Sequence, residues 1–390
     1  MKRNEIRSTR VPVYRDSGFE LENAMVMGEA FNTEAASGNR EPGHYIYSRY
    51  RNPTVVAAEE EIMKIEGCNW ALLTQSGMAA VDVAMSLFQE AGNSKPWLFF
   101  SEIYGGTISY INSVLTARRG IRAEWFSPAN DGYNLAKLEE MVHRVKPQFL
   151  YFEVISNPML IIADAAEVIN ICKRNGVKVI VDNTFATPYL LKPLDYGANL
   201  VIHSGTKYFS GHGNLTAGVL CGNGEELMRD AVAYRKFVGH MLSPDDAYRL
   251  HTQIQTFALR FPVQCENAFR TAKLLAGHHI IEKVWYPGLT EHSTNNIADR
   301  LFGGKGYGAM VTFTFRGDAG QKRQRRDMFI EHVSDKIRLV PTLGDPHTIL
   351  MPVEPVWGDR YPDPGMIRLS VGFESFDELE ATLSEALEGL

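Results

Sequence analysis

Between residues 70 and 222 this 390-residue chain alternates seven short apolar runs with stretches of helical character. The runs are WALLTQ (70–75), WLFFSE (97–102), AEWFS (123–127), FLYFEVIS (149–156), VKVIVDN (177–183), LVIHSG (200–205) and AGVLCG (217–222). Short runs that are apolar on both faces fit strands covered by helices on each side. GMAAVDVAMSLFQEA (77–91) and ADAAEVINICKRNG (163–176) read as two of those helices. The second has Asp164 near its start and Gly176 at its end, where an N-cap acceptor and a left-handed C′ residue belong. Repeated βα units predict an α/β fold on a large, mostly parallel sheet.

The pattern changes downstream. Residues 225–280 look mostly helical. GAMVTFTF (308–315), KIRLVPTL (336–343) and MIRLSVGF (366–373) then read as strands, and FDELEATLSEALEGL (376–390) as a last helix. This predicts a smaller C-terminal α+β domain. Residues 1–60 show little periodicity and are rich in polar residues and glycine, which suits an arm packed on something else. The expected division is an arm over 1–60, an α/β domain over 61–250 and an α+β domain over 251–390, changing over near 235 to 260. The sequence contains no internal repeat and no low-complexity tract.

Apolar residues at 45% and charged residues at 22% are ordinary for a soluble globular protein. A net charge of −6 argues against a nucleic-acid or anionic-membrane partner. The basic run QKRQRR (321–326) reads as a solvated helix face. Cys68, Cys172, Cys221 and Cys265 are scattered without a C-x-x-C spacing, so neither a zinc site nor a disulfide framework is expected. MKRNEIRSTR at the N-terminus has no apolar segment of the signal-peptide kind. No apolar run approaches the roughly 20 residues that cross a bilayer. A cytoplasmic location and no metal are the expectations.

The residues that carry chemistry lie where strands end. VIVDNTFATP (179–188) and LVIHSGTKYFSGH (200–212) are apolar strands running into polar residues. In a parallel sheet the strand C-termini share one edge, and ligands bind there. Asp182 and Lys207 could meet at that edge, with Ser204 and Thr206 beside them. A lysine, a carboxylate and hydroxyls suit pyridoxal phosphate: the amine forms a Schiff base, the carboxylate keeps the pyridine nitrogen protonated, and the ring becomes an electron sink. The plain alternative makes Asp182 a turn cap and Lys207 a solvated strand-end lysine. A third stretch, TQSGMAA (74–80), follows a strand and opens a helix. There the backbone N–H groups of Gly77 and Met78 would face outward as an anion site. The competing reading makes Ser76 a simple N-cap. Three such stretches together favour the cofactor.

These motifs and others also resemble a known family. YSRYRNPT (47–54), SGM (76–78), YGGT (104–107), SNP (156–158), DNTFATP (182–188), HSGTKY (203–208), YPGL (286–289) and IRLSVGFE (367–374) stand in the order found in cystathionine γ-synthase-like enzymes of cysteine and methionine metabolism. The resemblance runs from PVYRDSGF at residue 12 to the end. It implies a fold-type I pyridoxal-phosphate enzyme, usually a homotetramer of tight dimers. It makes Lys207 the Schiff-base lysine and proton shuttle, and Asp182 the partner of the pyridine nitrogen. Tyr104 becomes the tyrosine that stacks on the cofactor ring and aids proton transfer. Gly77, Met78, Ser204 and Thr206 form a phosphate cup. Tyr47 and Arg49 reach that phosphate from the neighbouring subunit, which would explain the arm. Asn157 lies near the cofactor's phenolic oxygen and the substrate, and Arg368 clamps the substrate carboxylate. His203 reads as structural.

Some positions depart from the family. Gly106 stands where methionine γ-lyases commonly carry cysteine. Thr342 replaces a usual serine, and His347 takes an acid's place. Leu343 replaces the tryptophan typical of cystathionine β-lyases. Gly213-Asn214 replaces a usual Ser-Asp. MLSPDD (241–246) resembles the γ-lyase and sulfhydrylase branches. The implied activity is cleavage of the γ C–S bond of cystathionine or methionine. The alternative is γ-replacement on an O-acyl homoserine. A non-catalytic descendant of the fold is disfavoured by the intact set Lys207, Asp182 and Tyr104. A dinucleotide-binding dehydrogenase is disfavoured because no G-x-G-x-x-G follows a first strand.

Overall fold

The computed structural model of the protein describes residues 9–37, 43–129 and 132–390. Residues 1–8, and with them most of the segment read as lacking a signal peptide, lie outside it. So do residues 38–42 of the expected arm.

All seven runs become strands of one sheet. They are β1 Trp70–Thr74, β2 Trp97–Phe100, β3 Ala123–Phe126, β4 Phe149–Glu153, β5 Lys178–Asp182, β6 Leu200–Ser204 and β7 Gly218–Gly222, in the order β1-β7-β6-β5-β4-β2-β3. The pairs from β6 across to β3 are parallel. β7 alone runs antiparallel to both of its neighbours. The central strands are buried on both faces, as their unbroken apolar sequences require. The helix Ala165–Arg174 begins as expected: the Asp164 side chain accepts the Glu167 N–H at 3.4 Å.

The second sheet contains β8 Ile281–Trp285, β9 Met310–Phe315, β10 Arg338–Leu339, β11 Ile349–Pro352 and β12 Ile367–Ser370, ordered β10-β11-β12-β9-β8. The sequence did not announce β8, because Glu282 and Lys283 are exposed and only its ends are buried. The strand expected over 336–343 shrinks to two residues. Pro341 has no N–H for a ladder, and the chain bends so that Thr342 turns towards Lys207. The arm is less irregular than its composition suggests, since it holds the helix Ala24–Ser37. The run QKRQRR is not a plain solvated face. Lys322 bridges Glu282 and Asp363, and buried Arg326 bonds Glu354 and the Pro364 carbonyl.

Each sheet has its own apolar core. The core of the large sheet also takes in residues far beyond 250, among them Ile254, Phe257, Phe261, Leu301 and Met310. Among the described residues no helix is long and apolar enough to cross a membrane.

Candidate active site

The register of the large sheet sets three polar strand ends side by side. Glu153 ends β4, Asp182 pairs with it at the end of β5, and Ser204 ends β6. β1 leads at the same edge into the helix Gly77–Ser86, whose N-cap Ser76 accepts the Ala79 N–H at 3.1 Å. From the smaller sheet, β12 brings Arg368, and the bend before β11 brings Thr342. These elements enclose a cavity of about 270 Å³. Lys207, Tyr104, Asp182, Gly77, Met78, Ser204, Thr206, Asn157, Thr342 and Arg368 all line it. A larger cavity, about 380 Å³, lies against the helix Pro53–Glu66 and contains none of them.

Tyr47 and Arg49 do not line the site. Tyr47 is exposed, and the Arg49 guanidinium donates to the Lys236 carbonyl at 2.6 Å. His203 is buried and pairs with buried Glu66 at 3.0 Å, behind the site rather than in it.

The Lys207 amine donates to the Thr342 hydroxyl at 2.7 Å. Burial pushes its pKa down to about 8, and the Arg368 charge adds to this while Asp345 opposes it. A far larger minority of the amine is therefore neutral near physiological pH than in an ordinary lysine, and the neutral form is the one that acts as nucleophile and proton acceptor. Arg368 is 4% exposed and donates to Asn157 Oδ1 at 3.0 Å and to the Thr342 carbonyl at 2.9 Å. Its Nε has no hydrogen-bond partner. Burial pulls this guanidinium down to about 10, the mark of a cation lacking a nearby anion.

Asp182 is held by Thr184, whose N–H and hydroxyl both donate to Oδ1, at 3.0 and 2.6 Å. The same hydroxyl accepts the Ser204 N–H at 2.8 Å and so ties β5 to β6. Loss of hydration raises the Asp182 pKa against these hydrogen bonds. Beside it, burial holds Glu153 well above the usual carboxylate range, and the Asp182 charge adds to that. Glu153 accepts the Tyr104 N–H at 2.5 Å and so fixes the start of the YGGT segment. Residue-by-residue reading missed Glu153, Tyr151 and Thr184. An acid closing an apolar strand next to that of Asp182 was the available signal for Glu153.

The cavity fits pyridoxal phosphate on its own geometry. A Cβ on Gly77 would lie 3.1 Å from Ser204 Cβ, so glycine keeps open the cradle where helix N–H groups meet an anion. Gly77, Met78, Ser204 and Thr206 surround that cradle, though the Thr206 hydroxyl is also engaged with the Ala217 backbone, accepting its N–H at 3.0 Å. Asp182 could hold a protonated ring nitrogen, and Lys207 could bond the aldehyde. A parallel-sheet edge with these groups, set beside a smaller domain that brings an unpaired arginine, defines a fold-type I pyridoxal-phosphate enzyme. A family model described as Cys/Met metabolism PLP-dependent enzyme matches residues 1–388, and the chain belongs to that family.

Cystathionine beta-lyase of Lactococcus lactis subsp. cremoris is 32% identical over 368 residues, covering 92% of each chain. L-methionine gamma-lyase of Fusobacterium nucleatum subsp. polymorphum is 32% identical over 395 residues, covering 97% of this chain and 93% of its own. The crystal structure of cystathionine gamma synthase from Xanthomonas oryzae pv. oryzae, in complex with aminoacrylate and cysteine, superposes with a TM-score of 0.84 at 27% identity. It covers 98% of this chain and 93% of its own. The protein is thus a pyridoxal-phosphate-dependent enzyme of sulfur amino-acid metabolism. These relatives carry the names of a β-lyase, a γ-lyase and a synthase, so family membership leaves the choice of reaction to the site.

The Lys207 geometry yields a pH expectation. Only the neutral amine bonds an aldehyde, so the rate at which cofactor-free protein takes up pyridoxal phosphate should rise with pH and level off above about 8. Stopped-flow absorbance across pH 6 to 10 checks this. A limb near the ordinary lysine value would mean that Lys207 is hydrated and not perturbed.

Proposed function

We propose that the protein cleaves the γ C–S bond of a sulfur amino acid, cystathionine or methionine, to give 2-oxobutyrate, ammonia and a thiol. The observation that carries this reading is the low-pKa Lys207 amine held beside an unpaired Arg368. Arg368 takes the substrate carboxylate in its bidentate fork, oriented by Asn157. That places the Cα–H within reach of Lys207. The bound cofactor supplies an aldehyde for the amine and a protonated ring that withdraws electrons from Cα. Asp182 keeps that ring nitrogen protonated. Lys207 would take the Cα proton, give it up again and, neutral once more, take a Cβ proton, the loss that lets the γ sulfur leave. Its flexible stem suits both transfers, and the Thr342 hydroxyl gives the amine a resting position. Tyr104, 52% exposed at the open side of the cavity, would stack on the ring of the bound cofactor and aid proton transfer to the leaving thiol.

Two positions favour this reading over its neighbours. Leu343 is an aliphatic wall of the cavity where a β-lyase would carry tryptophan. At position 106, a Cβ would lie 2.4 Å from the Tyr104 ring, so the ring occupies the space of the cysteine found in methionine γ-lyases. The second point ranks cystathionine ahead of methionine. γ-Replacement on an O-acyl homoserine is the second reading, favoured by the fit to the Xanthomonas synthase. Rates with L-cystathionine alone, and with O-acyl homoserine plus cysteine, separate the two. Turnover that requires both an ester and a thiol would replace the lyase reading.

The proposed assembly is a homodimer, paired into a tetramer, in the cytoplasm. Tyr47 and Arg49 of one chain would complete the phosphate site of the next. Arg49→Ala is then expected to weaken cofactor affinity about 10-fold, the scale of a charge-assisted contact. Equilibrium dialysis measures it, and an unchanged affinity removes the arm from the site.

A further inference from the structure

Beneath Asp182 lies a group with no role in the account above. Tyr151 is fully buried in β4, two residues before Glu153, and shares a sheet face with Asp182. Its phenol donates to Asp182 Oδ2 at 3.2 Å. The Thr107 hydroxyl, on the helix that follows Tyr104, contacts the same phenol. Thr184 grips Oδ1 alone and leaves the carboxylate free to swing about that oxygen. With Tyr151 on Oδ2, both oxygens are held and the carboxylate plane is fixed.

We propose that Tyr151 is a positioning residue for the cofactor: it locks the second oxygen of Asp182 so that one lone pair is presented to the ring nitrogen. This rests on Asp182 being the partner of that nitrogen. The choice of a phenol has a physical reason. A lysine or arginine at this place would neutralise Asp182 and remove the negative charge that keeps the ring protonated. A phenol donates one hydrogen bond and leaves the charge in place. It also favours the ionised carboxylate, against the burial that works to protonate it. The other groups near Asp182 on its own face are Glu153 from β4 and Thr184, while His203 acts on it only through space, from the far face of β6. Thr184 donates to the carboxylate, and Glu153 adds repulsion.

The ordinary role for a buried tyrosine is to pack, its hydroxyl meeting whatever acceptor is near. That role predicts no effect on the cofactor. Tyr151→Phe keeps the ring and its volume and removes only the hydroxyl, so thermal unfolding serves as its control. On the positioning account it weakens pyridoxal phosphate affinity about 10-fold, the scale of one hydrogen bond to a charged group. It should lower kcat with KM for the amino acid unchanged, because Tyr151 does not reach the substrate. The acid limb of cofactor retention should move to higher pH, since Asp182 loses a donor that favours its charged form. The double variant decides whether the effect runs through Asp182. In an Asp182→Asn background, Tyr151→Phe should change affinity less than about two-fold. An unchanged affinity and acid limb in Tyr151→Phe, with Asp182→Asn clearly impaired, overturns the proposal while leaving the Asp182 assignment standing. Fully additive losses overturn it as well. An Asp182→Asn protein that holds the cofactor normally overturns both.

Discussion

Lys207→Ala is expected to lower turnover by at least about 10⁴-fold and to remove the visible absorbance band of the lysine-bound cofactor. One nitrogen is asked to bond the aldehyde and to carry two protons in turn, and among the described residues no second lysine lines the cavity. The fold should not suffer. Lys207 is a poorly hydrated cation whose pKa falls on folding from its ordinary value to about 8. Its charge therefore opposes folding fully below about pH 8, and the penalty fades as pH rises above that. At pH 7 the alanine variant should melt at the same temperature or higher. Loss of activity with an intact melting curve places the residue in the chemistry. Retained turnover would point to another amine.

The second large effect belongs to Arg368. Arg368→Leu is expected to cost about 10²-fold or more in kcat/KM, mainly through KM, by removing the partner of a buried carboxylate. Among the described residues no acid pairs with this guanidinium, and its Nε has no hydrogen-bond partner. A buried cation of this kind opposes folding until an anion arrives. Its loss should thus spare the melting temperature of the substrate-free protein, although Asn157 Oδ1 and the Thr342 carbonyl lose a donor. The Arg368 charge also lowers the Lys207 pKa. The pH limb of cofactor uptake should therefore move upward in the same variant. An unchanged KM would mean that the substrate carboxylate is held elsewhere.

The large sheet was legible in the sequence for a simple reason. Strands buried on both faces leave unbroken apolar runs, and β2, β4 and β6 are such runs. Asp182 and Ser204 were legible as the polar residues ending them. The smaller sheet was less so. β8 buries only its ends, and β11 is four residues closed by Pro352, so neither carries a strand-length pattern. The site residues contributed by that sheet followed from family resemblance, since no local pattern says that Arg368 faces a cavity 211 residues away from Asn157 in sequence. Glu153 and Tyr151 were written inside an apolar run and passed as strand composition. Their importance appears only when register sets them beside Asp182. The basic run at 321–326 misled in the opposite sense: charge in a helix reads as solvent exposure, yet Lys322 and Arg326 face the acids Asp363, in a loop, and Glu354, at the start of a short helix.

The most direct test of γ-cleavage is to identify by NMR the keto acid that the purified, cofactor-loaded protein forms from L-cystathionine alone. The site described here predicts 2-oxobutyrate, with cysteine as the released thiol. Pyruvate with homocysteine would show cleavage at the β carbon and would contradict it.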